Sequence, residues 1–303
     1  MKAITKAFLT AMTLPCLLGL FPIQPALAEE SVKVTVSILP QKFFVEKIGG
    51  NWVDVTVMVL PGANPATYEP KPQQMVQLAK SSIYFAIGVP FETVWLPKFK
   101  NLNTEMTIVR TQAGIEKVPM KAHLHEPLGS HDDHETRGHV GIRDPHIWLS
   151  PPLVMLQARN ILKGFLKIAP GHRDLFEANY RKFIQELVDL DVRIIHRFEG
   201  DTRGSHFMVY HPAWGYFARA YGLKQIPVEL EGKKPSPGEL QALINMARKD
   251  GIRVIFVQPQ FSTKSAETIA KAISGKIIVA DPLALNWAEN LEAVAASFAA
   301  VLK

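Results

Sequence analysis

The chain has 303 residues, of which 47% are hydrophobic, a formal net charge of +6 and a single cysteine. The charge is mild and its basic residues are mixed with acids, which argues against a nucleic-acid partner. One cysteine excludes a disulfide framework, so stability must come from burial.

Lys2 and Lys6 open the chain, an apolar run follows over roughly 7–21, and Ala26–Ala28 offers a small-residue cleavage site. This is the pattern of a secretory signal peptide, residues 1–28. The run is shorter than the roughly 20 residues a membrane-spanning helix needs. Cys16 follows Pro15 rather than the small residue of a lipoprotein signal, and leaves with the leader. Losing Lys2 and Lys6 lowers the charge from +6 to +4. About 275 residues remain, more than one ordinary core, so two lobes are expected.

The mature chain begins with strand-like "KVTVSIL" (33–39), then "PQKFFVEKIGG", a helix closed by Gly49 and Gly50. A second strand, "VDVTVMVL" (53–60), runs into the loop "PGANPATYEP" (61–70). The short helix "KPQQMVQLAKS" and the strands "SIYFAIG" and "MTIVRT" follow. Strands alternating with helices predict a parallel sheet, here in an N-terminal lobe over 29–172. From Arg173 to Phe198 there is neither proline nor glycine, and Phe176, Tyr180, Phe183, Leu187, Leu190, Ile194 and Phe198 step by three or four. That is one apolar stripe on one helix of roughly 40 Å, a rigid backbone over 173–200 linking two lobes. The strand grammar resumes in a C-terminal lobe, 201–303, with "HFMVYHP", "LKQIPVEL", "RVIFVQP" and "KIIVADP". Ser236, Pro237 and Glu239 form a capping box with proline at the first helical position.

Chemistry concentrates in two places. Five of the ten histidines fall in one tract, His123, His125, His131, His134 and His139, together with Asp132 and Asp133. The tract lacks apolar periodicity and contains Gly129 and Gly138, so it reads as a mobile loop; imidazoles at this density are a metal signal, against the alternative of chance histidines in a solvated loop. It is no metalloprotease helix, since "HETRGH" spaces its histidines by five rather than four. The other candidates are His211 and Asp281 at strand ends, and His146 in "DPHIWLSP". Ligands of open α/β sheets bind beyond the carboxyl ends of strands, so these three could meet in a cleft between the lobes. Singly they also read as a turn aspartate and a core histidine. There is no GxSxG elbow and no GxGxxG, and "AKAISGKI" fails as a phosphate loop.

With these landmarks the chain resembles the ZnuA/TroA-like substrate-binding proteins of bacterial zinc and manganese ABC importers. The resemblance is carried by "KIGG", "PGANPATYEP", "DPHIWLSP", "HPAWGYFARAYGL", "EGKKPSPGEL", "FVQPQFSTKSAETIA" and "ADPLA". It implies two α/β lobes joined by a rigid helix, with a metal buried between them on His146, His211 and Asp281. It further implies a monomer in the periplasm that carries zinc, with manganese the lesser candidate, to a membrane permease, and a histidine loop that collects zinc. Where the family loop reads PH-x-YEP, this chain has Ala66 in place of the ligand histidine. A methyl group cannot coordinate. Three protein ligands remain, and water, Glu69, Gln41 or a tract histidine could take the fourth corner. Three ligands plus water also resemble a catalytic zinc, so a secreted zinc hydrolase is the alternative.

Overall fold

The computed structural model describes residues 31–120, 143–200, 202–229 and 232–302. The expected leader and the histidine tract lie outside them.

The first lobe is a four-stranded parallel sheet. Its strands are β1 (Val32–Val36), β2 (Val53–Val57), β3 (Ile83–Ala86) and β4 (Thr107–Arg110), in the order β2-β1-β3-β4. Every residue of β3 is buried, which is why this strand reads as a continuous apolar run rather than an alternating one. The crossovers are α1 (Leu39–Gly49), α2 (Pro72–Leu78) and α3 (Pro90–Leu102), and Pro97 lies inside α3.

Two helices follow before the second sheet. α4 (Pro151–Ile168), with proline at its first position, covers the first sheet. α5 (Arg173–Arg197) is the continuous helix read from the sequence. It buries Phe176, Phe183, Leu187, Leu190 and Ile194, the positions of the apolar stripe. Near its start Phe176 stacks on Phe165 of α4 at 5.0 Å, and Phe183 meets Phe43 and Phe44 of α1 at 6.0 Å. Near its end Asp191 accepts a hydrogen bond from Tyr221 at 2.8 Å. One helix therefore grips both lobes.

The second lobe repeats the first. β5 (His206–Val209), α6 (Gly215–Ala220), β6 (Lys224–Pro227), α7 (Pro237–Lys249), β7 (Val254–Val257), α8 (Lys264–Ala272) and β8 (Lys276–Val279) form a parallel sheet in the order β6-β5-β7-β8. The chain ends on α9 (Trp287–Val301), which packs on α5. The capping box of α7 is formed: Ser236 Oγ accepts from Glu239 N, and Glu239 Oε2 accepts from Ser236 N at 2.7 Å.

One apolar cluster runs through both lobes, from Val34 and Phe85 to Phe207 and Phe298. At the joint two buried tryptophans each donate a hydrogen bond to backbone. Trp148 Nε1 donates to Pro282 O at 2.7 Å, and Trp287 Nε1 donates to Trp148 O at 2.8 Å. Trp287 also lies edge-on to Phe44 at 5.0 Å. Buried aromatics whose polar ends are satisfied fix one relative placement of their elements.

Candidate metal centre

Strand register assembles the site. His211 lies two residues beyond the end of β5, Glu229 two beyond β6 and Asp281 two beyond β8. Val209 pairs with Pro227, and Val257 with Val279, so all three side chains leave the same carboxyl edge of one sheet. Gln258 and Gln260 follow β7 between them. Parallel pairing makes such an edge a natural ligand site.

His146 reaches this edge from the first lobe, on the turn before α4. Its backbone N donates to Asp144 Oδ1 at 2.9 Å, and its ring Nδ1 lies 2.7 Å from the same oxygen. Asp144 is anchored in turn: its N donates to Val118 O, and its carbonyl accepts from the Tyr216 hydroxyl at 3.1 Å. Burial pushes that hydroxyl up to about 12, so it stays protonated; it also accepts from Val118 N at 3.0 Å. Tyr216 of α6 thus ties the His146 turn to the second lobe. The approach is close: a methyl group at Gly215 would lie 2.8 Å from Asp144 Oδ2, so any larger residue there would displace the carboxylate.

His211 is held in the same way. Its Nδ1 lies 2.5 Å from Glu229 Oε1, with Glu229 buried. Gln258 clamps its backbone, accepting from His211 N at 3.1 Å and donating to His211 O at 2.9 Å. Phe261 stacks on the imidazole with centroids 4.5 Å apart. A carboxylate accepts only, so each Nδ1 carries its proton and each Nε2 keeps a lone pair. Burial holds the His211 pKa below the usual histidine value, against the hydrogen bond to Glu229, which raises it.

The two Nε2 atoms face each other across 3.3 Å. Both histidines line a cavity of about 150 Å³ with Ala66, Trp148, Glu229, Gln260 and Phe261. Asp281 lines the neighbouring cavity of about 320 Å³, with Leu60, Pro61 and Gly62 of the proline-rich loop. Gln260 and Leu283 line both. The structure therefore brings His146 and His211 together and places Asp281 beside them, past Gln260. Among the described residues no three His, Cys, Asp or Glu side chains converge on one point.

The loop residue Ala66 lines the same cavity as the histidines, its N donating to Asn64 Oδ1 at 2.8 Å. Gln41 has no donor or acceptor to spare. Its Oε1 accepts from Ser37 N at 3.0 Å and its Nε2 donates to Phe85 O at 2.9 Å, so it belongs to the start of α1 and not to the cavity. Glu69 is exposed and lines neither cavity. Sequence reasoning missed Asp144, Glu229 and Gln260. The signal for Glu229 was its offset from the strand end, the same as that of His211.

The family model for the zinc-uptake complex component A, periplasmic (ZnuA), matches residues 34–301. The chain belongs to this family. It is 30% identical over 266 residues to the zinc-binding protein AdcA of Streptococcus pyogenes serotype M3, covering 85% of this chain and 51% of AdcA. The chain thus spans about half the length of these AdcA relatives. It is 27% identical over 263 residues to the high-affinity zinc uptake system protein ZnuA of Bacillus subtilis, covering 84% and 79%. A ZnuA crystal structure superposes with a TM-score of 0.82 at 40% identity, over 90% of this chain and 100% of that one. A zinc-bound ZnuA deletion mutant gives 0.80 at 41%, over 90% and 98%. The two-lobe α/β fold expected from the sequence is the fold of this ZnuA protein.

Proposed function

We propose that this ZnuA-family protein is a periplasmic binding protein that captures zinc between its lobes and delivers it to a membrane ABC permease. His146, His211 and Asp281 are its ligands. The observation that carries the proposal is the 3.3 Å between the two Nε2 atoms. A tetrahedral zinc with Zn–N bonds of about 2.0–2.1 Å sets two nitrogen donors about 3.3–3.4 Å apart. Two lone pairs held face to face repel one another, and a cation between them removes that repulsion. The carboxylate behind each ring is the usual support of a metal-bound histidine, fixing its tautomer and raising its basicity. Two imidazoles favour zinc over manganese, which suits oxygen donors.

Asp281 supplies the negative charge, from the same sheet edge as His211. With Ala66 in the loop, water fills the fourth corner. The tract histidines His123, His125, His131, His134 and His139 are assigned on sequence alone to a weaker, accessory zinc-gathering role. A periplasmic monomer fits the family, and no helix among the described residues is long and apolar enough to cross a membrane. Nothing favours the hydrolase alternative, because Asp144 and Glu229 are each committed to an Nδ1 rather than free to activate water.

Calorimetry with the tract deleted tests the assignment. The parent is expected to bind one zinc. His146→Ala, His211→Ala and Asp281→Ala are each expected to weaken binding at least about a hundredfold, or roughly 2.8 kcal/mol. Three variants that bind like the parent would reject the site.

A further inference from the structure

Two glutamines follow β7, and the structure treats them differently. Gln258 is satisfied at both ends by the backbone of His211, with contacts of 3.1 and 2.9 Å. Gln260 is satisfied at one end. Its Nε2 donates to Asp281 Oδ1 at 2.9 Å, while its Oε1 is buried and accepts no hydrogen bond from the described residues. An amide bound at both ends is an anchor. An amide that gains one hydrogen bond while burying an orphan acceptor gains little, because the unmade bond offsets the made one.

The placement gives this weak tie a consequence. Gln260 lines both cavities, with Asp281 on one side and the two imidazoles on the other. The other partner of Asp281 Oδ1 is local, the backbone N of Leu283 at 2.9 Å. Gln260 is therefore the side chain that keeps the carboxylate on the far side of the junction. We propose that Gln260 is a latch: it holds Asp281 away from His146 and His211 until a cation arrives, and then releases the carboxylate to the cation. The inference rests on the metal assignment above. It makes Gln260 a positioning residue that sets the rate and affinity of capture without being a ligand.

Removing an anchor and removing a latch have opposite effects. Losing a support behind a ligating carboxylate weakens binding. Losing a restraint that competes with the metal strengthens it, since a binding-competent arrangement that is only partly populated lowers apparent affinity by that fraction.

The test uses the mature chain with the five tract histidines changed to asparagine, and zinc as the probe. Gln260→Leu keeps the volume and removes the donor; Gln260→Asn keeps the amide and shortens its reach. Both are expected to bind zinc about tenfold more tightly in calorimetry, equivalent to about 1.4 kcal/mol. The gain should appear as faster association in stopped-flow mixing. The cobalt(II) absorption spectrum should stay that of the parent, because the ligand set is unchanged. Affinity that is unchanged or weaker in both variants overturns the latch. A His146→Ala control is measured alongside. If that control binds like the parent, the metal assignment itself falls, and the latch with it; if it loses zinc while the glutamine variants do not gain, only the latch falls.

Discussion

The two sheets share one strand order and differ in what they do with the polar groups at the point where that order reverses. In the first lobe this point lies between β1 and β3, and its groups close on one another. Ser37 Oγ bonds the Tyr84 hydroxyl at 2.7 Å, and Glu92 accepts from Ile87 N at 2.9 Å and Gly88 N at 2.8 Å. Gln41 is used at both ends. In the second lobe the point lies between β5 and β7, and His211 Nε2 and Gln260 Oε1 are left over. The fold supplies the same edge twice; the first also leaves one buried acceptor over, Gln112 Oε1 past β4, but it is the second that sets two imidazoles beside its unpaired amide. The first lobe contributes through its loops instead, presenting His146 and the bare methyl of Ala66.

By that contrast, Ala66→His should convert the first lobe's loop from wall to ligand. The prolines around it keep the turn whatever side chain it carries. Zinc is expected to bind about ten to several hundred times more tightly in calorimetry, each order being about 1.4 kcal/mol. An unchanged affinity would mean that the fourth corner is already filled by protein. Glu229→Gln leaves His211 in place but weakens the support on its Nδ1. A fall in zinc affinity of about ten- to a hundredfold is expected, with little change in melting temperature.

The pH response sharpens the same point. Burial lowers the folded pKa of His211. The contribution of a neutral His211 is therefore complete above its unfolded value of about 6.5 and is lost as pH falls through the lower folded value. Zinc affinity should change by no more than about threefold between pH 7.5 and 6.5 and drop steeply at lower pH. A steep drop already above pH 6.5 would contradict a lowered pKa, because it requires a ligand that titrates above the free histidine value. The smallest effect on zinc is expected from the closed cluster. Glu92→Ala strips the acceptor from two backbone N–H groups and Ser37, and should cost about 2–4 kcal/mol in denaturant unfolding. Its zinc affinity should stay within about threefold of the parent.

Much of this was legible in the sequence. β3 and β7 announced themselves because central parallel strands are buried on both faces and read as apolar runs, and β1 and β2 because their β-branched residues alternate. α5 did so because 25 residues carry one uninterrupted stripe. α3 is less legible because Pro97 interrupts its pattern, and α4 because its first residue, Pro151, closes the "DPHIWLSP" motif. Strand-end logic singled out His211 and Asp281, each two residues past its own strand. It did not find Glu229, whose partner is 18 residues away and becomes a neighbour only when β5 and β6 pair. Nor could it separate Gln258 from Gln260. Both are polar residues after a buried strand, and only the hydrogen-bond geometry shows that one is satisfied and the other is not.

The central claim is that His146 and His211 share one zinc through their Nε2 atoms. Zinc-edge X-ray absorption of the protein with the tract deleted, loaded with one equivalent of zinc, tests it most directly. Two imidazole shells at about 2.0–2.1 Å are expected, with oxygen completing the coordination, and the imidazole signal should vanish in the His146→Ala/His211→Ala double variant. A spectrum without imidazole scattering, or one that the double variant leaves unchanged, would contradict the assignment.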